Sequence, residues 1–388
     1  MSKLTIGVVG GGIGGLTAAI ALTRAGHDVT VFEQAKGYFH VGADINLTPN
    51  AVKALDGLGI ADAIRKTAAR PTHRISRMWD TGEETSRLGM SAEAEEKYGA
   101  PQLTIHRADL IDALADAFDI NKVIFNTRIE AVKETDEAAT LIAADGKEFS
   151  FDLVVGADGI HSAVRGHMFG AEKPRFTGVV AFRAVVPLES VADIPDIQAF
   201  TKWWGKTPES QIVTFPLNNG KDIFIFATTA QDSWTEESWT GAGDPDELRS
   251  HYEHFHADAK KLLVACTEVL KTALYERDPL EYWAKGRLAL LGDSCHPMMP
   301  FMAQGACQAI EDGILLAREL DGLASDVVLS EALADSLKNY EIARKPRAST
   351  IQVMSRTNEW LKKGGGADWL YQYDAWTVPT TESAGLPA

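Results

Sequence analysis

The sequence predicts an α/β protein in which a βαβ domain is interleaved with a second domain built on an antiparallel β-sheet, followed by C-terminal helices. A glycine-rich turn joins a β-type run to a helical run within the first 33 residues. Alternation of apolar and polar residues dominates residues 178–229, and helical patterns return after residue 246. Strands that alternate with helices are typical of parallel sheets, whereas consecutive short alternating strands are typical of antiparallel ones.

Composition and charge limit the classes of function. The chain has 388 residues, of which 45% are hydrophobic and 24% charged, as in ordinary globular proteins. A net charge of −16 repels phosphate backbones, so we expect no nucleic-acid partner, and we also expect no membrane association. Three scattered cysteines, Cys266, Cys295 and Cys307, predict reduced thiols in a cytoplasmic protein, with neither a disulfide framework nor a metal site.

The first domain begins with a predicted βαβ unit. Residues 4–9 are β-rich, residues 16–25 are rich in alanine and leucine, and residues 28–33 form a second β-rich run. The glycines of the connecting turn are Gly10, Gly12, Gly14 and Gly15. In a G-x-G-x-x-G turn, the first glycine permits the tight turn, the second lets the backbone approach a pyrophosphate, and the third allows close helix packing.

An acidic residue completes this pattern. Glu33 follows Gly15 by 18 residues, at the end of the second strand, where a carboxylate accepts hydrogen bonds from ribose hydroxyls. The helix N-terminus offers free N–H groups to phosphates. Together these features predict a Rossmann-like dinucleotide site; a glycine-rich packing turn is the alternative. The pattern does not distinguish FAD from NAD.

The remaining elements follow from periodicity and turn residues. The predicted helices cover 50–65, 107–118, 246–274, 305–320 and 330–360, and the predicted strands cover 122–133, 139–144, 148–155, 179–186, 211–215, 222–227 and 288–291. Asp145-Gly146 and Asn218-Asn219-Gly220 are hairpin signals. We assign 1–70, 101–177 and 276–330 to the nucleotide-binding domain, 71–100 and 178–275 to the substrate domain, and 331–388 to C-terminal helices and a tail.

Two further motifs carry a family resemblance. Residues 152–165 (DLVVGADGIHSAVR) and 287–297 (RLALLGDSCHP), which continue into 302–312 (MAQGACQAIED), resemble the DG and GD segments of the single-component flavoprotein aromatic hydroxylases. The family includes salicylate hydroxylases, 3-hydroxybenzoate 6-hydroxylases and 6-hydroxynicotinate 3-monooxygenases. The resemblance covers nearly the whole chain and implies FAD as the cofactor.

The resemblance also implies which residues hold FAD. Asp293 corresponds to a ligand of the ribityl chain, Arg107 to a phosphate contact, and Gly305 to the start of a helix aimed at the flavin. The implied cofactor-binding residues beyond the glycine turn and Glu33 are Gly42, Ala43, Arg107, Asp158, Asp293, Pro300, Gly305 and Ala306. A helix N-cap remains the alternative for Asp293, and a surface position remains the alternative for Arg107.

The implied reaction uses NADH or NADPH and dioxygen to hydroxylate a small phenolic or N-heteroaromatic compound, an aromatic acid among them, via a flavin hydroperoxide. No metal and no nucleophilic triad is needed, since the flavin carries the oxygen chemistry. A flavin monooxygenase acting on a non-aromatic hydrophobic substrate is one alternative. A flavin-binding protein without turnover is the other.

We expect the second sheet to cover the flavin and to bind the substrate. Alternation puts Gln211, Val213 and Phe215 on one strand face, and Trp203 precedes this hairpin. These side chains could sandwich a planar ring or form the core of the sheet. Arg183 and Arg77 are the candidates to pair with an acidic substrate; a structural ion pair is the alternative for Arg183.

Several positions depart from the relatives. Asp44 replaces a common glycine, and Asn46 and Phe301 stand where hydroxynicotinate hydroxylases carry histidine. Ser210 and Thr214 stand where those enzymes carry histidine and tyrosine. We therefore expect Asn46, Thr214 and Phe301 to shape the pocket without acting as bases, and none of the substitutes to titrate near neutral pH.

The tail is rich in aromatic residues. Residues 360–376 hold three tryptophans and two tyrosines. Such a segment either forms a homodimer contact or packs back on the body of the protein, and packing on the body is the more common outcome.

Overall fold

The computed structural model describes residues 3–38, 44–234, 241–323, 329–358 and 366–387. The strands are β1 (Thr5–Val9), β2 (Asp28–Phe32), β3 (Ile45–Leu47), β4 (His73–Met78), β5 (Glu84–Gly89), β6 (Leu103–Ile105), β7 (Val123–Ile124), β8 (Ile129–Glu134), β9 (Ala139–Ala143), β10 (Glu148–Phe151), β11 (Leu153–Gly156), β12 (Arg175–Pro187), β13 (Phe200–Trp204), β14 (Gln211–Leu217), β15 (Asp222–Ala230), β16 (Ala242–Gly243), β17 (Val269–Glu276), β18 (Ala284–Lys285) and β19 (Leu288–Leu290). The helices are α1 (Ile13–Arg24), α2 (Pro49–Gly57), α3 (Ala61–Arg65), α4 (Ser91–Tyr98), α5 (Arg107–Asp116), α6 (Ala163–Phe169), α7 (Pro245–His251), α8 (Ala257–Ala265), α9 (Gly305–Leu320), α10 (Leu329–Met354) and α11 (Asp368–Tyr371).

A mostly parallel sheet forms the nucleotide-binding domain. Its strand order is β18-β19-β11-β1-β2-β7, and β1 lies parallel between β11 and β2. Helix α1 crosses from β1 to β2 and packs extensively on α9. The strands are buried, because helices cover the sheet, as is usual for parallel sheets. The predicted Rossmann-like βαβ unit is therefore confirmed.

An eight-stranded sheet, called the substrate sheet below, contains the residues of the β-rich region. Its order is β16-β17-β12-β15-β14-β13-β4-β5; all neighbouring strands are antiparallel except β13 and β4. The hairpin signal at 218–220 joins β14 to β15, and the Asp145-Gly146 turn joins β9 to β10. The sheet confirms the predicted fold class, while the exact domain boundaries stay a prediction.

The substrate sheet has two buried faces. One, the helix face, packs on α7 and α8 and includes Phe182, Trp203, Ile212 and Ile225, with Tyr252 from the helical layer. The other, the cleft face, packs toward the nucleotide-binding domain and includes Ala181, Val213, Phe215, Phe224 and Phe226, with Met299 from that domain. Alternation along each strand therefore decides which side chains can reach a ligand between the two domains.

Several predicted elements needed correction. The strand at 148–155 is divided into β10 and β11, which join different sheets. The single helix at 50–65 is divided into α2 and α3, because Gly59 adopts a φ of +72° that interrupts helical geometry. The helix at 246–274 is divided into α7 and α8 and ends at 265, and β17 follows because Val269–Glu276 pairs with β12. The strand at 122–133 is divided into β7 and β8, which join different sheets.

The described part of the tail packs on the body of the protein. The indole N–H of Trp376 donates to the Ala54 carbonyl oxygen at 3.0 Å, and the Tyr373 ring lies 3.9 Å from the Arg347 guanidinium. Since these aromatic groups are already used within the chain, the tail supplies little free surface for a second copy. Among the described residues, no helix combines the length and the apolar character needed to cross a bilayer.

Candidate active site

The glycine turn after β1 fits a dinucleotide pyrophosphate. Gly10 has a φ of +103°, and a Cβ on it would lie 2.4 Å from the Ala157 carbonyl oxygen. A Cβ on Gly15 would lie 1.9 Å from the Gly10 carbonyl oxygen. A Cβ on Gly12 would meet no atom within 4 Å, so open space lies beside the N-terminus of α1. The turn thus has one tight corner, one close helix contact and one open approach, as the sequence predicted.

Gly14 has a packing role in the turn. A Cβ on it would lie 2.8 Å from Leu291 Cδ1 and 3.1 Å from the Cβ of Ala309. The residue therefore lets α1 pack against α9 and the end of β19. Its predicted contact with the cofactor stays a prediction, and its visible role is the close approach of the two helices.

The Glu33 carboxylate is held at the end of β2 by backbone donors. Its Oε2 accepts from the N–H of Gly11 at 2.9 Å, and its Oε1 accepts from the N–H of Ala35 at 2.8 Å. Each carboxylate oxygen has a second lone pair, so acceptor capacity remains for ribose hydroxyls. Glu33 thus links the glycine turn to the predicted ribose position.

A second side of the cleft carries Asp158, after β11. Its Oδ2 accepts from the N–H groups of Ala163 and Val164 at 2.7 and 3.4 Å. Its Oδ1 is buried and has no hydrogen-bond partner within the described part of the chain. Burial raises the pKa of Asp158 above its ordinary value, since a carboxylate is poorly solvated there. An unpaired acceptor in this cleft fits a hydroxyl or N–H group of a bound cofactor.

Asp293 and Arg107 share the same cleft with Glu33. Asp293 lies inside the 3₁₀ turn Gly292–Ser294 after β19, with an exposed side chain. Burial lowers the pKa of Arg107, and the charges of Asp293 and Glu33 oppose that shift, which places the three groups within electrostatic reach. The alternatives for Asp293 and Arg107 are not favoured, since Asp293 caps no helix and Arg107 is half-buried.

Helix α9 begins at the far end of this cleft. The 3₁₀ turn Pro300–Met302 precedes it, Ala303 has a φ of +55°, and the helix starts at Gly305 and Ala306 without a side-chain cap. The uncapped N–H groups and the helix dipole favour negative charge at this end. Pro300, Gly305 and Ala306 therefore lie at this N-terminus, and their contacts with the cofactor stay a prediction. The predicted cofactor contacts Gly42 and Ala43 lie outside the described residues.

A buried ion network anchors α9, and sequence reasoning missed it. Arg344 of α10 donates to Glu311 at 2.6 Å and to Asp312 at 2.8 Å, and Arg347 donates to Glu311 at 3.0 Å. These four side chains are fully buried. Burial alone would raise the pKa of Glu311, but the charges of Arg347 and Arg344 hold it below its ordinary value. Acidic residues in the middle of an otherwise apolar helix were the available signal.

The network continues to the N-terminus of α9. Asn50 donates to Glu311 at 2.6 Å, Thr48 donates to Asn50 at 2.7 Å, and Gln304 donates to Thr48 at 2.8 Å. Gln304 directly precedes the first residue of α9. The position of that N-terminus is thus coupled to charges one to two turns further along the helix.

The cleft face of the substrate sheet carries three predicted substrate residues. Gln211 and Phe215 lie on the same face of β14 as Val213, and Arg183 lies opposite Phe226 in the register of β12 with β15. The Arg183 guanidinium carbon is 5.7 Å from the centre of the Phe226 ring, and its Nη1 donates to Thr272 at 2.6 Å. These residues lie on the sheet face that packs toward Met299 of the nucleotide-binding domain.

Three other predicted residues lie on the helix face. Trp203 is 2% exposed and stacks on His256 of the helical layer at 5.8 Å. Thr214 pairs with Ile225 of the helix-face core, one residue out of phase with Gln211 and Phe215. Arg77 pairs with Asp196 at 2.9 Å and lies over Trp203. Strand alternation therefore corrects the predicted pocket positions of Trp203, Thr214 and Arg77.

Asn46 and Phe301 border the cleft from the nucleotide-binding domain. The Asn46 side chain accepts from Gln102 at 2.7 Å, and its backbone carbonyl faces the Cys307 thiol at 3.5 Å. Phe301 packs against the cleft-face cluster, 5.9 Å from the ammonium group of Lys202. Neither side chain is a base at neutral pH, as the sequence predicted.

Asp44 corrects the expectation that no substituted position titrates near neutral pH. It lies directly before β3 and is half-buried. Burial raises the pKa of Asp44 to about 6, and the charge of Arg183 opposes that shift. Burial likewise lowers the pKa of Arg183, against the charge of Asp44. The two groups therefore lie within electrostatic reach of each other.

Comparison with known proteins agrees with this geometry. A family profile described as FAD binding domain matches residues 3–355. The chain is 36% identical over 383 residues to a 6-hydroxynicotinate 3-monooxygenase of Bordetella bronchiseptica, which covers 98% of each chain. It is 30% identical over 388 residues to a 3-hydroxybenzoate 6-hydroxylase of Klebsiella oxytoca, which covers 94% of this chain and 95% of that one. A solved salicylate hydroxylase substrate complex matches with a TM-score of 0.82 and 26% identity over 96% of each chain.

The fold and the cleft thus define an FAD-dependent aromatic monooxygenase that uses NADH or NADPH as co-substrate. The chain belongs to the FAD-binding-domain family that contains the flavoprotein aromatic hydroxylases. The family resemblance, the FAD cofactor and the enzyme class predicted from the sequence motifs are confirmed.

Proposed function

We propose that the protein hydroxylates a small phenolic or N-heteroaromatic compound held between the cleft face and the N-terminus of α9. The observation that carries this proposal is the aromatic cleft face, with Phe215 and Phe226 beside Arg183 and Gln211. This face packs toward the nucleotide-binding domain. In that domain, the residues expected to hold FAD, called the FAD cradle below, are the glycine turn, Glu33, Asp158 and Arg107. Bound FAD would take a hydride from NADH or NADPH and activate dioxygen for transfer to the ring. The chain's own residues bind the ring, orient it and keep water out.

The apolar wall orients a flat substrate. Phe200 stacks on Phe215 with ring centres 5.2 Å apart, and Phe224 lies 5.0 Å from Phe215. Packed aromatic rings form a rigid surface on which another ring can stack. The same wall excludes water, which strengthens the electrostatic effect of the uncapped α9 N-terminus on a developing negative charge. This arrangement supports aromatic substrates over aliphatic ones.

The relatives indicate the size and type of substrate. Their names refer to 6-hydroxynicotinate and 3-hydroxybenzoate, which are single-ring hydroxylated acids. We propose a substrate of the same size for this chain, with a ring hydroxyl that activates the attacked carbon. Asn46 and Phe301 then act as pocket walls, because neither can remove a proton.

The first test is a substrate panel on the purified FAD-loaded protein. NADH and NADPH oxidation, hydrogen peroxide and hydroxylated product are measured with hydroxylated benzoates, phenols and pyridines. A compound that accelerates reductant loss many-fold, with product and little peroxide, would establish the proposed activity. Acceleration with stoichiometric peroxide would identify an effector only. No acceleration by any ring compound would favour a non-aromatic substrate or a flavoprotein without turnover.

The location and assembly of the protein are also proposals. All three cysteines are free and buried, which supports a reducing compartment such as the cytoplasm. A homodimer remains our proposal for the assembly, through a surface other than the packed tail. Light scattering of the purified protein gives its mass directly, and a mass of one chain would reject the dimer.

A further inference from the structure

The buried carboxylate of Asp312 holds the turn that carries Asp293. Its Oδ2 accepts from the backbone N–H of Gly292 at 2.9 Å and lies 2.6 Å from Nε2 of His296. Its Oδ1 accepts from Nε of Arg344 at 2.8 Å. All three side chains, of Asp312, His296 and Arg344, are fully buried. One carboxylate therefore connects the ion network behind α9 with the turn after β19.

The charge state of Asp312 decides the direction of the histidine contact. Burial alone would raise the pKa of Asp312, but the charges of His296 and Arg344 hold it below its ordinary value. An ionised carboxylate only accepts hydrogen bonds, so Nε2 of His296 carries the proton in this contact. The other ring nitrogen, Nδ1, is buried and has no hydrogen-bond partner among the residues whose positions are described. Within that part of the structure, the hydrogen bond to Asp312 orients the His296 ring.

Asp293 is the exposed residue of a turn whose neighbouring positions are anchored. Gly292 has a φ of +60° and donates to Asp312, and the Ser294 hydroxyl donates to the Gly156 carbonyl oxygen at 2.5 Å. Gly292 and Ser294 are buried, whereas Asp293 is exposed. Because only two soft dihedral angles per residue separate one peptide unit from the next, a shift at Gly292 also moves the Asp293 carboxylate.

We propose that Asp312 is a positioning residue for FAD, which acts through Gly292 and His296 to fix the Asp293 carboxylate where it binds the ribityl chain of the flavin. Arg344 keeps Asp312 in place, because a charge-assisted hydrogen bond in a buried site resists movement. This inference goes beyond the proposed function, since it concerns cofactor binding and holds whichever compound the enzyme hydroxylates.

The test measures how tightly the FAD-loaded protein keeps its flavin. Each protein is diluted stepwise, and the fluorescence of released flavin gives the FAD dissociation constant. In Asp312→Asn the amide oxygen should turn toward the charged Arg344, which leaves an NH₂ group facing the donors of Gly292 and His296. We expect FAD to bind about tenfold more weakly than in the wild type. An unchanged dissociation constant in folded Asp312→Asn would overturn the proposal.

A double-mutant cycle shows whether Asp312 acts through Asp293. Asp293→Asn alone should also weaken FAD binding about tenfold. The double variant should still bind FAD only about tenfold more weakly than the wild type, because Asp312 then has no carboxylate left to position. A purely structural role would multiply the two effects to about a hundredfold. That result, or an unaltered dissociation constant in Asp293→Asn, would contradict the proposal.

Two histidine variants leave the ion pairs intact and separate positioning from folding. His296→Gln places an amide N–H close to the former Nε2 and should keep the FAD dissociation constant within about threefold of the wild type. His296→Leu has no donor and should weaken FAD binding about fivefold. These variants decide the question even where Asp312→Asn does not fold, because Arg344 keeps both acidic partners. Equal FAD affinity in the two variants would reject the role of the His296–Asp312 contact.

Glu341→Ala is the matched control for stability. The Glu341 Oε2 accepts from the backbone N–H of Trp283 at 2.8 Å, so this carboxylate also holds backbone, but outside the turn that carries Asp293. The variant should lower the melting temperature and leave the FAD dissociation constant unchanged. A similar loss of FAD affinity in Glu341→Ala and Asp312→Asn would assign the effect to general destabilisation and overturn the proposal.

Discussion

The FAD cradle and the cleft face of the substrate sheet present polar groups in different ways. The cradle uses backbone N–H groups, glycines without Cβ atoms and carboxylates held by backbone donors, such as Glu33. The cleft face uses side chains of a sheet, such as Arg183 and Gln211, whose direction depends on strand alternation. Backbone groups change little when side chains are substituted, so they suit a cofactor that all members of the family bind. Side chains on the sheet can change the substrate without altering the fold.

The largest effect should come from adding a single methyl group to the cradle. In Gly15→Ala the new Cβ would lie 1.9 Å from the Gly10 carbonyl oxygen, which the turn cannot accommodate. We expect loss of most bound FAD and a destabilisation of about 4 kcal/mol or more. Flavin absorbance and chemical denaturation measure the two effects.

Gly12→Ala is the matched control for the steric argument. Its Cβ would meet no protein atom within 4 Å, so the variant should fold normally while binding FAD more weakly. Equal stability of the two variants would show that the turn does not have the geometry described.

The buried network behind α9 should give the next largest effect. Glu311→Gln leaves Arg344 and Arg347 with one partner fewer in a fully buried site. Removing one member of a buried ion pair costs about 3–5 kcal/mol. Urea denaturation of the FAD-loaded protein measures the loss. Lys133→Met, in an exposed pair with Glu148, should leave the denaturation midpoint unchanged; a similar loss in both variants would contradict the role of burial.

The cleft should show a pH dependence that Asp44 controls. The pKa of Asp44 is raised to about 6, so its carboxylate forms as the pH rises through 6 and is largely protonated at pH 5. Arg183 is the charged group that acts on it in the described structure, and it stays protonated over this range. A protonated Asp44 is a weaker hydrogen-bond acceptor than its carboxylate. A ring that donates a hydrogen bond to Asp44, such as 2-hydroxypyridine, should therefore bind about tenfold more tightly at pH 7 than at pH 5.

Asp44→Asn is the control for this profile, since an amide does not titrate. Its binding of 2-hydroxypyridine should be the same at pH 5 and pH 7. A slope that persists in the variant would assign the titration to another group. FAD affinity should change with pH in the same way in both proteins, because Asp44 contributes no backbone donor to the glycine turn.

These two regions also differ in how far they could be predicted from sequence. Gly10, Gly15 and Glu33 were predicted because their roles depend on local backbone geometry and fixed spacing along the chain. Trp203 and Thr214 were misplaced because their side depends on the register of a sheet assembled from distant segments. The ion network of Glu311 with Arg344 was missed because its partners come from two helices that meet only in the folded protein.

The smallest effect is expected when single substitutions on the two faces of the substrate sheet are compared for their effect on ligand binding. Phe215→Leu removes an aromatic ring from the cleft face, whereas Trp203→Phe changes the helix face. An aromatic contact is worth about 1 kcal/mol, so Phe215→Leu should weaken binding of a planar ring roughly fivefold. Trp203→Phe should lower the melting temperature but leave the dissociation constant unchanged, because its ring packs against α7 and α8. Weaker ligand binding in Trp203→Phe, with no change in Phe215→Leu, would show that the substrate lies on the opposite face.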